Sequence, residues 1–536
     1  MLDGCVPCPA EDAARYRAAG YWRGELLGDL LRRRAATLGG KEALIGETTR
    51  LTYAELDRRA DRLAAGLRGL GIAPRDRVVV QLPNIPEFVV VCFALFRLGA
   101  LPVFALPAHR GNEIKHLCSH SDAVAYFIAD THNGFDYRAL ARDVRESVHS
   151  LRHVIVAGAA EEFTALSGLD ADPVTLPGPD PADVAFFLLS GGTTALPKLI
   201  PRTHDDYLYQ ARVSAQACEL DTGSRYLTVL PVEFNFPWGC PGIIGTFVAG
   251  GTVIMASSPS PDECFALLER ERPTFTSIVP SIAHLWLEAV EWTAHDLSSL
   301  ELLQIGSAKL HTSVAARIEP AFGCRLQQVF GMAEGLLCMT RRDDSPETVL
   351  TVQGSPLSPA DELRVVDSAD REVPTGEVGE LLTKGPYTLR GYYRAPEHNA
   401  IAFTEDGFYR TGDLVRRTED GNIVVEGRSK DVIIRGGDKV SAPEVEAHLM
   451  AHPGIRQASV VATPDEVLGE RTHAYLIAAN TAPTLAEITR FLLARGLAEF
   501  KLPDRIEVVD SFPLTGLGKI DKKALAARLT AKAGSH

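Results

Sequence analysis

The sequence predicts an α/β protein of two lobes: a large N-terminal lobe built on parallel sheets with helices, and a small α+β C-terminal domain. Three observations carry this. Strand and helix signals alternate from the N-terminus to about residue 420, the pattern of parallel sheets covered on both faces. A β-rich stretch from 350 to 415, with turn signals at Thr375-Gly376 and Asp406-Gly407, reads as a small barrel-like unit. The polar break Gly427-Arg428-Ser429-Lys430-Asp431 then precedes an autonomous-looking run of strands and helices. The expected division is therefore 1–429 and 430–536, and a chain of 536 residues is too long for one core.

Element by element, Thr52-x-x-Glu55 is a capping box. Leu56, Ala60, Leu63, Leu67 and Leu70 follow it on one helical face that ends at Gly71. Residues 77–82 read as a buried strand, 86–98 as a helix stopped by Gly99, and 154–156 as another strand. Beyond 430, Ser441-x-x-Glu444 and Thr484-x-x-Glu487 cap two helices, and 458–462 and 506–509 are strands. The tail after Ala526 is expected to fray.

The net charge of −14 argues against a general nucleic-acid binder, although 519–532 forms a local basic patch. Asp3, Glu11 and Asp12 precede any apolar run, so no secretory signal is expected. The most apolar stretch, 88–96, is cut by Arg97 and is too short to span a bilayer. Nine scattered cysteines fit reduced thiols and a cytoplasmic location. Cys5-x-x-Cys8 has no second pair at zinc spacing. Monomer and homodimer both stay open.

The apolar run 184–189 opens into Ser190-Gly191-Gly192-Thr193-Thr194-Ala195-Leu196-Pro197-Lys198. Backbone N–H groups at Gly191 and Gly192, hydroxyls at Ser190, Thr193 and Thr194, and the charge of Lys198 suit a phosphate. The loop is not a Walker A sequence, since Pro197 precedes the lysine and Leu199 follows it.

Four further motifs follow in order. They are Gln328-Val329-Phe330-Gly331-Met332-Ala333-Glu334, then Tyr409-Arg410-Thr411-Gly412-Asp413, then Gly427 to Asp431, and finally Pro513-Leu514-Thr515-Gly516-Leu517-Gly518-Lys519-Ile520-Asp521. With the loop at 190–198 they resemble the adenylate-forming superfamily of acyl-CoA synthetases, nonribosomal adenylation domains and firefly luciferase. Arg15-Tyr16, Gly20-Tyr21-Trp22, His116-Leu117-Cys118-x-His120, Pro201-Arg202-Thr203-His204, Asn235-Phe236-Pro237 and Arg435-Gly436-Gly437 are similar to its stand-alone aryl acid–AMP ligases. Those enzymes activate salicylate or 2,3-dihydroxybenzoate for siderophores and related products.

The resemblance implies two parallel-rich sheets in the large lobe and a mobile C-terminal lid. It also implies attack of an aryl carboxylate on ATP, followed by transfer to the phosphopantetheine thiol of an aryl carrier protein. By that resemblance Ser190 to Lys198 hold the β- and γ-phosphates, with Ala195 where a glycine is usual. Glu334 is the Mg²⁺ ligand and Asp413 binds the ribose hydroxyls. Gln328 to Ala333 and Gly306, Ser307 and Ala308, followed by Lys309, line the nucleotide, with Ser307 replacing a usual glycine. Arg428 lies near ribose and phosphate, Lys519 bridges the carboxylate and α-phosphate, Lys430 is the hinge, and Arg435 to Lys439 face the pantetheine path.

The resemblance places the aryl acid near Phe234, Asn235, Phe236, Cys240, Gly306, Val329 and Leu337, with Asn235 on the ortho hydroxyl. Cys240 stands where a serine is usual for 3-hydroxylated acids, and sulfur is a poor hydrogen-bond partner. Salicylate is therefore expected first. Phe234, Trp238, Gly239 and Leu337 suggest a more apolar wall, leaving anthranilate, hydroxyanthranilate, methylated or heteroaryl acids open. The alternatives are an aryl-CoA ligase and, from another class, a non-catalytic acyl-adenylate binder.

Overall fold

The computed structural model describes residues 1–190, 196–428, 431–435, 438–465, 469–495, 497, 501–516 and 518–533. The chain packs into two compact units. The first comprises Met1–Leu350, Gly354–Glu362 and Thr383–Tyr409; the second comprises Thr351–Gln353, Leu363–Leu382 and Arg410–His536. The position expected for the boundary, 430, falls inside the second unit.

Two sheets form the frame of the first unit. In the nine-stranded sheet, Arg325–Gly331, Leu302–Gly306, Phe275–Ile278, Arg225–Thr228, Thr252–Met255 and Glu42–Ile45 run parallel in that order. Antiparallel strands, among them Leu337–Met339, finish its edges. In the seven-stranded sheet Val184–Leu189 lies between the parallel Leu101–Phe104 and the antiparallel Leu199–Thr203. That antiparallel return brings both ends of the 190–198 loop to one sheet edge.

The helix Pro86–Leu98 shows why these residues fold this way. Proline opens it, Glu87 sits in its first turn, and Gly99 closes it in the left-handed region. It is apolar all round because it is covered all round, among the helices Leu27–Leu38 and Tyr53–Gly69 and the strand Leu101–Phe104. Phe88 and Phe104 meet Trp238 edge-on at 5.5 and 5.4 Å between centroids. The capping box at Thr52 is formed as expected.

In the second unit, the β-rich stretch expected from the sequence is a four-stranded sheet. It takes the order Glu362–Val366, Gly379–Lys384, Tyr409–Arg417, Ile423–Arg428. A five-stranded sheet and the helices Ala442–Met450 and Leu485–Ala494 follow, the helices capped by Ser441 and Thr484. The C-terminal segment is helical from Lys522 to Ala533, not frayed from Ala526. Leu525 is fully buried in a cluster with Tyr475 and Phe512, and its carbonyl accepts from the Tyr475 hydroxyl at 3.0 Å.

One buried acid sets a pH dependence. Tyr387 O–H and Ser358 N–H donate to Asp361 Oδ2, while Oδ1 has no partner among the described residues. Burial pushes this carboxyl up to about 7. The folded state thus holds a proton that the unfolded chain releases near pH 4, so this contribution to stability is fully present below about pH 4 and is lost as pH rises through 7. Asp361→Asn is expected to raise stability at pH 8 by about 2–4 kcal/mol relative to its effect at pH 4. Urea midpoints at the two pH values test this; a pH-independent difference would contradict it.

Candidate active site

The 190–198 loop is closed at its base by two bonds. Ser190 N–H donates to the Lys198 carbonyl at 3.0 Å, and Lys198 N–H donates to Ser190 Oγ at 3.1 Å. Gly191, Gly192, Thr193, Thr194 and Ala195 lie outside the described residues. Lys198 Nζ stands 5.8 Å from the centroid of the Tyr392 ring. The hydroxyl of Tyr392 donates to Glu334 Oε1 at 2.8 Å and is 2.9 Å from the Tyr409 hydroxyl. One tyrosine thus touches the predicted phosphate lysine with its face and the predicted metal ligand with its edge. Burial first, and then the Glu334 charge, push its phenol far above the ordinary range, keeping it a donor.

Glu334 is 8% exposed and sits on a loop that leaves the strand Arg325–Gly331. Gly335 N–H donates to the Met332 carbonyl, and Leu389 N–H holds the Glu334 carbonyl at 2.7 Å. Gly335, at φ +150°, has no room for a side chain, because a Cβ would strike the Thr388 and Tyr387 backbone. Arg202, fully buried, donates to the Ala333 carbonyl at 3.0 Å.

The predicted acid pocket is gathered from one short helix and two strand ends. Phe234 precedes the helix Asn235–Gly239, which leads to Cys240. Gly306 pairs with Val329 across adjacent strands, and a Cβ on Gly306 would meet the Phe236 ring at 3.2 Å. Leu337, buried, lies against Gly331. Asn235 is 8% exposed: its Oδ1 accepts from Tyr207 O–H at 2.8 Å and Gln210 Nε2 at 3.1 Å, and its Nδ2 donates to the Met332 carbonyl at 3.2 Å. Cys240 Sγ donates to the Asn235 carbonyl at 3.2 Å. Gly239 lets the Tyr207 hydroxyl come close, since a Cβ there would overlap it. Trp238, expected in the pocket wall, is fully buried and turned into the aromatic core against Phe88 and Phe104.

Of the residues expected beside a nucleotide, Ser307 holds φ +68°, a left-handed backbone that costs a non-glycine residue about 1–2 kcal/mol. The chain keeps the glycine-like turn without the glycine, and Ala308 and Lys309 follow it exposed. Phe330, Gly331, Met332 and Ala333 are half-buried. Gln328 is different: its side chain is buried and donates to the Val349 carbonyl at 2.6 Å, so it braces the strand from inside.

In the second unit, Asp413 and Arg428 face each other across an antiparallel pair, with Arg428 Nε donating to Asp413 Oδ1 at 2.8 Å. Asp413 is 5% exposed; burial raises its carboxyl, and Arg428 and then Lys519 oppose that shift. Lys519 follows a turn in which Thr515 N–H donates to the Lys519 carbonyl at 2.7 Å and Lys519 N–H returns to Thr515 Oγ1 at 3.2 Å. Arg435, expected on the pantetheine path, forms a bidentate pair with Asp504 at 2.9 and 2.7 Å. Lys430, Gly436 and Gly437, and the Lys439 side chain, lie outside the description.

Sequence reasoning gave no role to Tyr392, Tyr207, Gln210 or Arg202. None lies in a motif whose spacing reports its partner. Among the described residues no group of three or more His, Cys, Asp or Glu could hold a metal ion. A single buried carboxylate at Glu334 suits a hard cation whose remaining ligands are nucleotide oxygens and water.

Residues 31–393 match the family described as AMP-binding enzyme, and residues 444–519 match the AMP-binding enzyme C-terminal domain. The chain is 56% identical over 532 residues to 2,3-dihydroxybenzoate-AMP ligase of Bacillus subtilis, covering 99% of both chains. It is 48% identical over 536 residues to the salicyl-AMP ligase / salicyl-S-ArCP synthetase of Mycobacterium tuberculosis, covering 98% of this chain and 95% of that one. The apo structure of Mycobacterium smegmatis MbtA superposes with a TM-score of 0.77 at 48% identity, covering 98% of this chain and 99% of its own.

Proposed function

The chain belongs to the AMP-binding enzyme family, as an aryl acid–AMP ligase, and we propose that its acid is salicylate and its acceptor the phosphopantetheine thiol of an aryl carrier protein in the cytoplasm. The observation that supports this reading is Asn235 Nδ2 donating to the Met332 carbonyl at 3.2 Å. It ties the acid pocket directly to the loop that carries Glu334. Salicylate is favoured over 3-hydroxylated acids because the Cys240 thiol already spends its hydrogen on the Asn235 carbonyl.

The carboxylate oxygen attacks the α-phosphorus of ATP; the bond to the bridging oxygen breaks, and pyrophosphate leaves with the electron pair. Ser190 to Lys198 take the β- and γ-phosphates, and Asp413, flanked by Arg428, accepts from the ribose hydroxyls. Glu334 would hold Mg²⁺, which when bound would neutralise phosphate charge. Lys519, a compact charge with three donors, draws carboxylate and α-phosphate together. The phosphopantetheine thiol then attacks the acyl carbon, and AMP departs with the electron pair of the broken acyl–oxygen bond.

The test is ATP–pyrophosphate exchange with a panel of benzoates, followed by thioester assays with carrier protein and with CoA. Salicylate is expected to drive the fastest exchange and the carrier protein to be the better acceptor. No exchange with any aryl acid would overturn the reading. Tyr392→Phe, which removes the hydroxyl on Glu334, is expected to raise the Mg²⁺ needed for half-maximal exchange by about 10-fold or more. The KM for the aryl acid should not move; an unchanged Mg²⁺ requirement would count against the assigned role of Tyr392.

A further inference from the structure

Behind the acid pocket lies a buried chain of polar side chains whose hydrogen-bond directions are fixed from one end. Arg202 is fully buried and can only donate. Its Nε binds Asp206 Oδ1 at 3.0 Å, its Nη1 the Ala333 carbonyl, and its Nη2 both the Tyr387 carbonyl at 3.1 Å and Gln210 Oε1 at 2.9 Å. Gln210, equally buried, must therefore turn its oxygen toward the guanidinium and its NH₂ the other way. That NH₂ donates to the Gly239 carbonyl at 3.1 Å and to Asn235 Oδ1 at 3.1 Å. With Tyr207 O–H on the same oxygen, both lone pairs of Asn235 Oδ1 are taken.

The far end agrees. Asn235 Nδ2 meets the Met332 carbonyl, an acceptor that only the NH₂ side of the amide can satisfy. One Nδ2 hydrogen is left with no protein acceptor among the described residues. We infer that Gln210, locked by Arg202, holds the Asn235 amide so that it offers the substrate a donor and no acceptor, and that the enzyme selects aryl acids whose ortho substituent accepts a hydrogen bond. This rests on the acid pocket of the proposed function.

The consequence separates two acids of nearly equal size. The hydroxyl of salicylate donates to its own carboxylate and leaves its oxygen free to accept. The amino group of anthranilate has its lone pair drawn into the ring, so it faces the Asn235 N–H as a second donor. A site that pairs one buried polar group discriminates against the analogue that leaves it unpaired. Gln210 is thus a positioning residue, acting on the acid only through Asn235.

Pyrophosphate exchange with salicylate and with anthranilate tests this, on the wild-type chain and on Gln210→Glu and Gln210→Leu. Glutamate still accepts from Arg202 but meets Asn235 with an acceptor, which turns the amide round; leucine leaves the amide unheld. The wild type is expected to prefer salicylate by about 10-fold or more in kcat/KM. Each variant should lower that ratio at least roughly 3-fold, through KM for the acid, with KM for ATP unchanged. Equal use of the two acids by the wild type would overturn the inference, as would a folded variant with an unaltered ratio. If neither variant folds, the wild-type ratio decides. Exchange with no aryl acid at all would instead sink the proposed function, and this inference with it.

Discussion

Replacing Lys519 with alanine is expected to slow aryl-AMP formation by at least ~10²-fold, the usual cost of deleting one preorganised charge-stabilising donor. The first half-reaction brings a carboxylate anion against a polyanion, so a cation delivered to that point acts mainly in the transition state. The turn that bears Lys519 is held by Thr515 N–H on the Lys519 carbonyl, by Lys519 N–H on Thr515 Oγ1, by Gly518 N–H on the Thr515 carbonyl and by a bridge between Leu514 and Ile520. None of these uses the ammonium group, so the variant should fold and keep its turn. Thioester formation from supplied aryl-AMP no longer needs that charge and is expected to change little. Pyrophosphate exchange and single-turnover thioester formation, measured side by side, separate the two steps. Equal loss in both would contradict the assignment.

Arg202→Met is expected to cost about 3 kcal/mol or more of stability, the scale of breaking a buried ion pair by removing one partner. Four acceptors depend on this guanidinium: Asp206, Gln210 and the carbonyls of Ala333 and Tyr387. Methionine fills much of the volume and satisfies none of them. Burial already raises the Asp206 carboxyl, and Arg202 is the charge that opposes this. Adding Asp206→Asn to Arg202→Met should therefore recover part of the loss, because the uncompensated acid is gone. Urea denaturation of the two single variants and the double variant reads the coupling directly. Additive effects of the two substitutions would contradict the network.

Where the chemistry of the chain is local, the sequence is legible. The capping boxes at Thr52 and Thr484, the stop at Gly99 and the strand into Ser190 each depend on residues a few positions apart, and each forms as read. The ordered motifs likewise point to the right family. Contacts between distant segments are another matter. Arg202 reaches Tyr387 across 185 positions, and Tyr392 reaches Glu334 across 58. Trp238 reads as a wall residue beside Asn235, yet its ring turns into the core where Phe88 and Phe104 offer an apolar slot. The terminal helix gains its order from Leu525, whose partner Tyr475 lies on a strand fifty positions earlier. Nothing in the local pattern around Ala526 reports that contact.

The ordering of bonds made and broken gives the most direct test of the account. If the carboxylate oxygen attacks the α-phosphorus and the thiol later displaces AMP at the acyl carbon, one carboxylate oxygen must leave with AMP. Salicylate labelled with ¹⁸O in its carboxyl group, turned over with ATP, Mg²⁺ and an acceptor thiol, should yield AMP carrying a single ¹⁸O, with unlabelled pyrophosphate. Unlabelled AMP, or release of ADP and phosphate in its place, would contradict it.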